Sequence, residues 1–484
     1  MTHDDWIELA LNCELRPPEL LRALPALRYD APMDAFVIRG GQRLRGRVRV
    51  HGSKNAALPL MAASLLTDAP LILHDVPHLV DVRNLIKLLE ALGCRVEPGT
   101  DDGPDQGQTL KLQVIDPQPY KAPYDIVRTM RATFNVLGPM LARRGRAVVS
   151  MPGGCNIGDR PVDLHLHGLK KLGARIHLDG GYIHATVPES GRLKGGPVFL
   201  GGAFGPTVTG TANVLCAATL ATGTTVLEAA ACEPEIVDLA NPLSAMGARI
   251  RGAGSPRIVI EGVERLEGAE HRVVADRIEA GTYIMAAAVT NGDVILDNCP
   301  LDALTAVLDR LVEVGVEVEP VESSDDQAPC GPAAEAAASM PRSVRVASRR
   351  RLNAITVTTQ PHPGFPTDLQ AQIMALLSIA DGNSIITEKI FPDRFLHVAE
   401  LLRMGANLTR NGSSVLISGV RELIGAPVMA SDLRASAGMV LAGLAARGET
   451  TINRVYHLDR GYEKMELSLQ ALGADIERVE RPSV

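Results

Sequence analysis

Five short polar runs stand immediately ahead of stretches rich in small apolar residues. They are Gly52-Ser53-Lys54-Asn55, Met130-Arg131-Ala132-Thr133, Ala275-Asp276-Arg277, Pro366-Thr367-Asp368-Leu369 and Ser431-Asp432-Leu433-Arg434. If each apolar stretch is a helix, each run lies at a helix N-terminus, where free N–H groups and the positive dipole end favour phosphate or carboxylate. Converging ends would form an anion site, with Lys54, Arg131 and Arg434 as counter-charges. Thr367, Ser431 and Asp276 would serve equally well as plain helix caps. Arg131 and Arg434 sit just inside apolar segments, where a charge requires a partner.

A second chemical feature is the run Pro152-Gly153-Gly154-Cys155-Asn156-Ile157-Gly158-Asp159-Arg160-Pro161-Val162-Asp163. Three glycines and two prolines in twelve residues read as a mobile, exposed loop. A cysteine there, beside Arg160, would be accessible and its thiolate favoured by the positive charge. Cys216, within Asn213-Val214-Leu215-Cys216-Ala217-Ala218, reads as core by contrast. His165, His362 and His457 are isolated, and lone histidines more often satisfy hydrogen bonds than bind metal. No cluster with metal-ligand spacing is present in the sequence.

These residues must be positioned by a repeated element. An amphipathic pattern ending in an apolar residue, glycine and a small residue recurs six times, with glycines at Gly93, Gly173, Gly247, Gly315, Gly405 and Gly473. Each glycine suits a helix C-terminus that needs a left-handed backbone before a strand. Ahead of each lies a helix of small apolar residues (NAALPLMAASLL, TFNVLGPMLARR, GTANVLCAATLA, GTYIMAAAVT, LQAQIMALLSIA and SAGMVLAGLAA), apolar nearly all round and so buried on every side. Between them fall β-rich runs: LILHDV, AVVSM, TTVLEA, GDVILD, NSIITE and TTINRV. The unit is buried helix, strand, amphipathic helix, glycine, strand, and six in order make an α/β protein. Residues 1–33 precede the first unit and carry the only tryptophan, Trp6, on an expected short amphipathic helix. Residues 321–345 are rich in Ala, Ser, Asp and Pro and read as a flexible surface insertion.

Composition bounds the remaining choices. The 484 residues carry 49 Lys and Arg against 56 Asp and Glu, a net charge of -7, with 3% aromatics. That balance excludes broad nucleic-acid binding, which needs a basic face and stacking rings. Forty-five glycines and few aromatics imply close packing of small and aliphatic side chains. Seven scattered cysteines without a CxxC read as reduced thiols. The acidic Asp4 and Asp5 and the absence of a long apolar run predict a cytoplasmic protein with no membrane insertion.

The motifs GSKNAALPL, PGGCNIGDRPVD, FPTDLQAQ, SDLRASAGMVLAG and HLDRGYEK, in this order, resemble the UDP-N-acetylglucosamine 1-carboxyvinyltransferases. These are enolpyruvyl transferases of peptidoglycan precursor synthesis, in the EPSP synthase-like superfamily, and the resemblance runs from about residue 34 to 479. It implies a two-domain inside-out α/β barrel of six units, three per domain, with the active site in the inter-domain cleft. The domains would be 54–273, and 34–53 with 274–484. It also implies that phosphoenolpyruvate gives its enolpyruvyl group to the 3′-hydroxyl of UDP-N-acetylglucosamine.

By motif, the resemblance makes Cys155 the general acid, the residue that forms an adduct with phosphoenolpyruvate and the position that fosfomycin alkylates. Lys54 would hold the phosphate and Asn55 the sugar nucleotide. Arg131, Arg160, Arg394, Arg434 and Arg460 would meet the phosphoenolpyruvate anion. Asp368 would take the proton from the 3′-hydroxyl, with Asp432 beside the reacting carbons and Glu233 and Asp276 as further acids. Arg160-Pro161-Val162-Asp163-Leu164 would line uracil, and Gly205 and Ile390 complete the substrate contacts. The glycine-rich strip Gly201–Pro206 lacks the lysine and serine usual in the family, though its backbone N–H groups remain able to bind a diphosphate.

The reaction accounts for these residue types. Adding an alcohol to C2 of phosphoenolpyruvate needs a base on the alcohol and an acid at C3, while cations neutralise phosphate and carboxylate. No cofactor is required, and a cleft within one chain can work in a monomer. The alternatives are enolpyruvyl transfer to another alcohol, or a catalytically silent relative that binds a UDP-sugar. A pure binder, however, needs neither acid nor base.

Overall fold

The computed structural model describes residues 33–99, 107–152, 162–321, 343–348 and 351–481. The leading segment with Trp6 lies outside them, as do Cys155, Arg160, Pro161 and most of the expected insertion. That insertion ends earlier than its composition suggests. Ser343–Ala347 is a strand paired with Asp293–Asp297, because its alternation buries Val344 and Val346 completely. The glycine-rich loop also stops short, since Val162 is buried and Asp163 opens the helix Asp163–Lys171.

The six buried helices are α1 (Lys54–Ala63), α2 (Leu137–Arg144, preceded by the 3₁₀ turn Arg131–Val136), α3 (Val208–Thr219), α4 (Arg277–Val289), α5 (Gln370–Leu377) and α6 (Leu433–Ala445). All thirteen residues of α4 are buried. Helices α4, α5 and α6 touch one another, and α3 touches both α1 and α2. Small side chains permit this: a Cβ on Gly438 of α6 would lie 2.8 Å from the Ala371 carbonyl oxygen of α5. Each repeat glycine adopts positive φ, from 82° at Gly93 to 104° at Gly247, where a side chain would be strained.

Two hydrophobic cores result, and the chain is a two-domain α/β fold. One core gathers residues between Ala56 and Val273; the other joins Phe36–Val50 to residues between Ile278 and Ile476. Strands pack outside the helices in four-stranded sheets, with one three-stranded sheet in the second unit. Met33–Arg39 pairs antiparallel with both Glu449–Asn453 and Asp475–Arg481, so the first described strand closes the sixth unit's sheet. Arg45–Arg49 pairs parallel with Asp293–Asp297.

The chain passes twice between the cores, and the two crossings hold each other. Gly52 bridges Ala275, the Ser53 N–H donates to the Val274 carbonyl at 2.7 Å, and the Asp276 N–H donates to the His51 carbonyl at 2.8 Å. A Cβ on Gly52 would lie 1.9 Å from the Asp75 carbonyl oxygen, so only glycine fits. The starts of α1 and α4 emerge directly from this crossing.

Candidate active site

The polar runs read from the sequence do stand at helix starts, but several of their residues are committed to capping. Ser53 caps α1, and Thr207 caps α3 by accepting from the Gly210 N–H at 3.1 Å. Asp276 Oδ1 accepts from the Ile278 and Glu279 N–H groups, and Asp432 Oδ1 from those of Arg434 and Ala435. Gly201–Gly202 and Gly205–Pro206 form a small hairpin ahead of α3, so Thr207 and not the glycine strip opens that helix. Gly205 faces the other core, where its Cβ would meet Pro361 at 2.7 Å.

The densest feature is centred on Asp368, in the 3₁₀ turn ahead of α5. Its Oδ1 accepts from Arg394 Nη1 at 2.8 Å and its Oδ2 from Arg434 Nε at 3.1 Å. Burial alone would raise the pKa of Asp368. The Arg434 and Arg394 guanidiniums, aided by Lys54, outweigh it and hold the carboxyl well below the usual carboxylate range. Arg434 is 2% exposed, and among the described residues its Nη1 and Nη2 make no well-formed hydrogen bond, the Tyr462 hydroxyl being their nearest polar neighbour. Its guanidinium carbon lies 5.4 Å from the centre of the Tyr462 ring. Burial works against this cation, yet Asp368 keeps its pKa above the ordinary value.

A second cluster spans the two cores. Asp81, 2% exposed in the first turn of the helix Val80–Ala91, accepts from Lys54 Nζ at 3.4 Å and from Arg460 Nε at 3.0 Å. Lys54 belongs to α1, while Arg460 comes from the turn Val455–Arg460 beyond α6. Arg277, close enough to Asp368 to feel its charge, makes two hydrogen bonds to Glu235, at 3.0 and 3.3 Å. Nearby, Glu233 Oε1 accepts from the His362 N–H at 3.3 Å, while its buried Oε2 has no partner among the described residues. Burial, the largest influence, raises the pKa of Glu233.

The structure thus brings Lys54, Arg394, Arg434, Arg460 and Asp368 into two linked ion clusters. Asp276 and Asp432 stand at adjacent helix caps. Arg131 starts the 3₁₀ turn ahead of α2, Asn55 follows Lys54 in α1, and Ile390 lies in the loop that leads to Arg394. Leu164 touches the hairpin, since a Cβ on Gly202 would lie 3.0 Å from its Cδ1; Asp163 is exposed. Asp81 and Glu235 belong to this geometry but carry no sequence signal that separates them from ordinary helix charges, whereas Arg277 stands in one of the polar runs at a helix start. His165 is a core histidine: Nδ1 meets Asn213 at 3.1 Å and Nε2 meets Thr209 at 3.2 Å. No group of three or more metal-ligating side chains occurs among the described residues.

Closely spaced buried charges are costly to desolvate and weak as stabilisers. Concentrated in a cleft, they define a two-domain α/β enzyme that handles an anionic substrate. A profile of the family described as EPSP synthase (3-phosphoshikimate 1-carboxyvinyltransferase) matches residues 38–469. A protein of Nitratidesulfovibrio vulgaris (strain Miyazaki F), named UDP-N-acetylglucosamine 1-carboxyvinyltransferase, is 51% identical over 447 residues, 92% of this chain and 100% of its own. One of the same name from Nitrobacter winogradskyi is 51% identical over 454 residues, again 92% of this chain and 100% of its own. Among solved structures, the enolpyruvyl transferase NikO from Streptomyces tendae superposes with a TM-score of 0.79 at 24% identity, covering 93% of this chain and 100% of its own. EPSP synthase from Acinetobacter baumannii gives 0.67 at 18%, with the same coverage. These two establish the fold. The chain belongs to the EPSP synthase family, among its members named UDP-N-acetylglucosamine 1-carboxyvinyltransferase.

Proposed function

We propose that this chain transfers the enolpyruvyl group of phosphoenolpyruvate to the 3′-hydroxyl of UDP-N-acetylglucosamine, releasing phosphate, in peptidoglycan precursor synthesis. The observation that carries the reading is Arg434. A buried guanidinium that grips a carboxylate through Nε and whose terminal nitrogens meet no carboxylate among the described residues suits a small anion beside a base. Asp368 takes the proton of the 3′-hydroxyl as that oxygen bonds to C2, and the Cys155 thiol supplies a proton to C3. The resulting ketal loses a proton from the new methyl group and expels phosphate, which restores the double bond. Lys54, Arg131, Arg394 and Arg460 neutralise the phosphate and carboxylate during these steps. The substrate anion competes with Asp368 for its two arginines, so anion binding releases the base and raises its pKa.

The domains meet, on this reading, at 53/54 and 273/274, and the protein works in the cytoplasm. No helix among the described residues is long and apolar enough to cross a membrane. Supporting the acceptor assignment are the names of the relatives at 51% identity.

The test is phosphate release from phosphoenolpyruvate with and without UDP-N-acetylglucosamine, followed by mass spectrometry of the nucleotide. Release that depends on the nucleotide, with one enolpyruvyl group gained, is expected. Nucleotide binding without product would overturn the proposal. Cys155→Ala abolishes turnover in this scheme, while Cys155→Asp, still able to deliver a proton, retains part of it and resists fosfomycin. An undiminished Ala variant would remove the acid role.

A further inference from the structure

Glu388 is fully buried, at 0% exposure, directly after the strand Asn383–Thr387, yet among the described residues no cation lies within hydrogen-bond reach of it. Its Oε1 accepts from the Thr359 hydroxyl at 2.7 Å and from the N–H groups of Ile390 and Phe391 at 2.7 and 3.0 Å. Its Oε2 accepts from the Thr367 hydroxyl at 2.9 Å. Four donors from three segments converge on one carboxylate, which fixes the loop to Arg394 against the turn that carries Asp368.

Thr367 is the link that transmits this. Arg394 Nη1 lies 3.0 Å from Thr367 Oγ1 and 2.8 Å from Asp368 Oδ1, so its two hydrogens serve adjacent residues. A guanidinium only donates and an ionised carboxylate only accepts. The Thr367 hydroxyl is therefore obliged to donate to Glu388 and accept from Arg394. That single proton arrangement orients the chain Glu388–Thr367–Arg394–Asp368, and a hydroxyl is the smallest group able to occupy the middle of it. Thr367 is thus not the helix cap its sequence position suggests, since its side chain caps no backbone N–H of the turn.

We infer that Glu388 and Thr367 are positioning residues. They hold Arg394 at the angle that keeps one nitrogen on Asp368 and leaves the rest of its guanidinium to the substrate anion. This rests on the enolpyruvyl-transfer reading above. Misplacement of about 1 Å at such a site costs on the order of a hundredfold in rate.

The experiment compares Thr367→Val, Thr367→Ser and Glu388→Gln under saturating phosphoenolpyruvate and UDP-N-acetylglucosamine, with thermal unfolding of each. Thr367→Val, near-isosteric but without the hydroxyl, is expected to lower kcat about tenfold to a hundredfold, with KM for UDP-N-acetylglucosamine within about threefold, since no nucleotide contact is touched. Thr367→Ser keeps the donor and acceptor and restores kcat to within about threefold. Combining Thr367→Val with Glu388→Gln adds little to the larger single loss, because the two act in series. A Val variant with the original kcat, or a Ser variant as impaired as Val, would overturn the inference. The Thr367 pair suffices where Glu388→Gln fails to fold. An unsubstituted chain that releases no phosphate would overturn the function on which the relay rests; an active chain indifferent to Thr367→Val would overturn the relay alone.

Discussion

The two cores contribute unlike halves to one cleft. The half built on α5 and α6 is already organised: Asp368 is held by two guanidiniums, and Glu388 ties the surrounding segments through four hydrogen bonds. Among the described residues, the half built on α1 to α3 is sparser, with helix caps, a hairpin, Lys54 on Asp81 and a Glu233 oxygen without a partner. The lesson is a division of labour. Charge chemistry needs preset geometry and sits where buried networks enforce it.

If the first half is preset, removing one of its charges should cost both fold and reaction. Arg434→Met leaves Asp368 with a single guanidinium in a buried setting, and a broken buried pair costs about 3–5 kcal/mol. Denaturant unfolding should report that loss, together with a collapse of turnover. A variant of unchanged stability would show that Arg434 is not needed to keep Asp368 charged.

The cross-core link is the next way to probe the comparison. Asp81→Asn keeps the shape but withdraws the charge that gathers Lys54 and Arg460. The expected result is a fall of about tenfold in kcat/KM for phosphoenolpyruvate, together with a lower melting temperature because two cations lose a buried partner. Unaltered kinetics would mean that both cations keep their places without Asp81.

The crossing between the cores predicts a pH dependence. Glu279, 2.9 Å from His51 Nδ1, raises the His51 pKa from 6.5 to about 9 against the opposing effect of burial. Because the folded value lies above the ordinary one, the stabilisation is complete below pH 6.5 and is lost as pH rises through about 9. Up to about 3 kcal/mol is at stake. Unfolding curves from pH 6 to 10 should show the decline, and His51→Gln should flatten it. A wild-type profile flat across that window would contradict the pairing.

The smallest effect concerns the thiols. Burial pushes Cys216 and Cys299 up to about 12 and raises Cys94 and Cys232 as well. A short maleimide pulse on native protein at neutral pH should leave these four unlabelled and mark Cys155. Prompt labelling of Cys216 would contradict the packing of α3.

The fold was legible because its signals are local. Small-residue helices, the β-rich runs and the six glycines each announce themselves within about fifteen residues, and all six glycines take the left-handed backbone expected of them. Lys54, Asp368 and Arg434 were legible as polar residues abutting apolar helices. Asp81 was not, since its partner Arg460 lies 379 residues away and an Asp in a helix's first turn is unremarkable. Glu388 was hidden for the same reason, at the end of a strand that reads only as NSIITE. The hairpin at Gly201–Pro206 was not legible as a turn, because glycine content does not distinguish a turn from a backbone cradle.

The most direct test of the preset base is Asp368→Asn, mixed with both substrates and quenched within one turnover. An amide of the same shape keeps the oxygen for one of the two arginines, gives up the other, and cannot take a proton at neutral pH. The account predicts that both substrates still bind while neither ketal nor phosphate forms above about a thousandth of the original rate. Phosphate appearing at close to the original rate would contradict it.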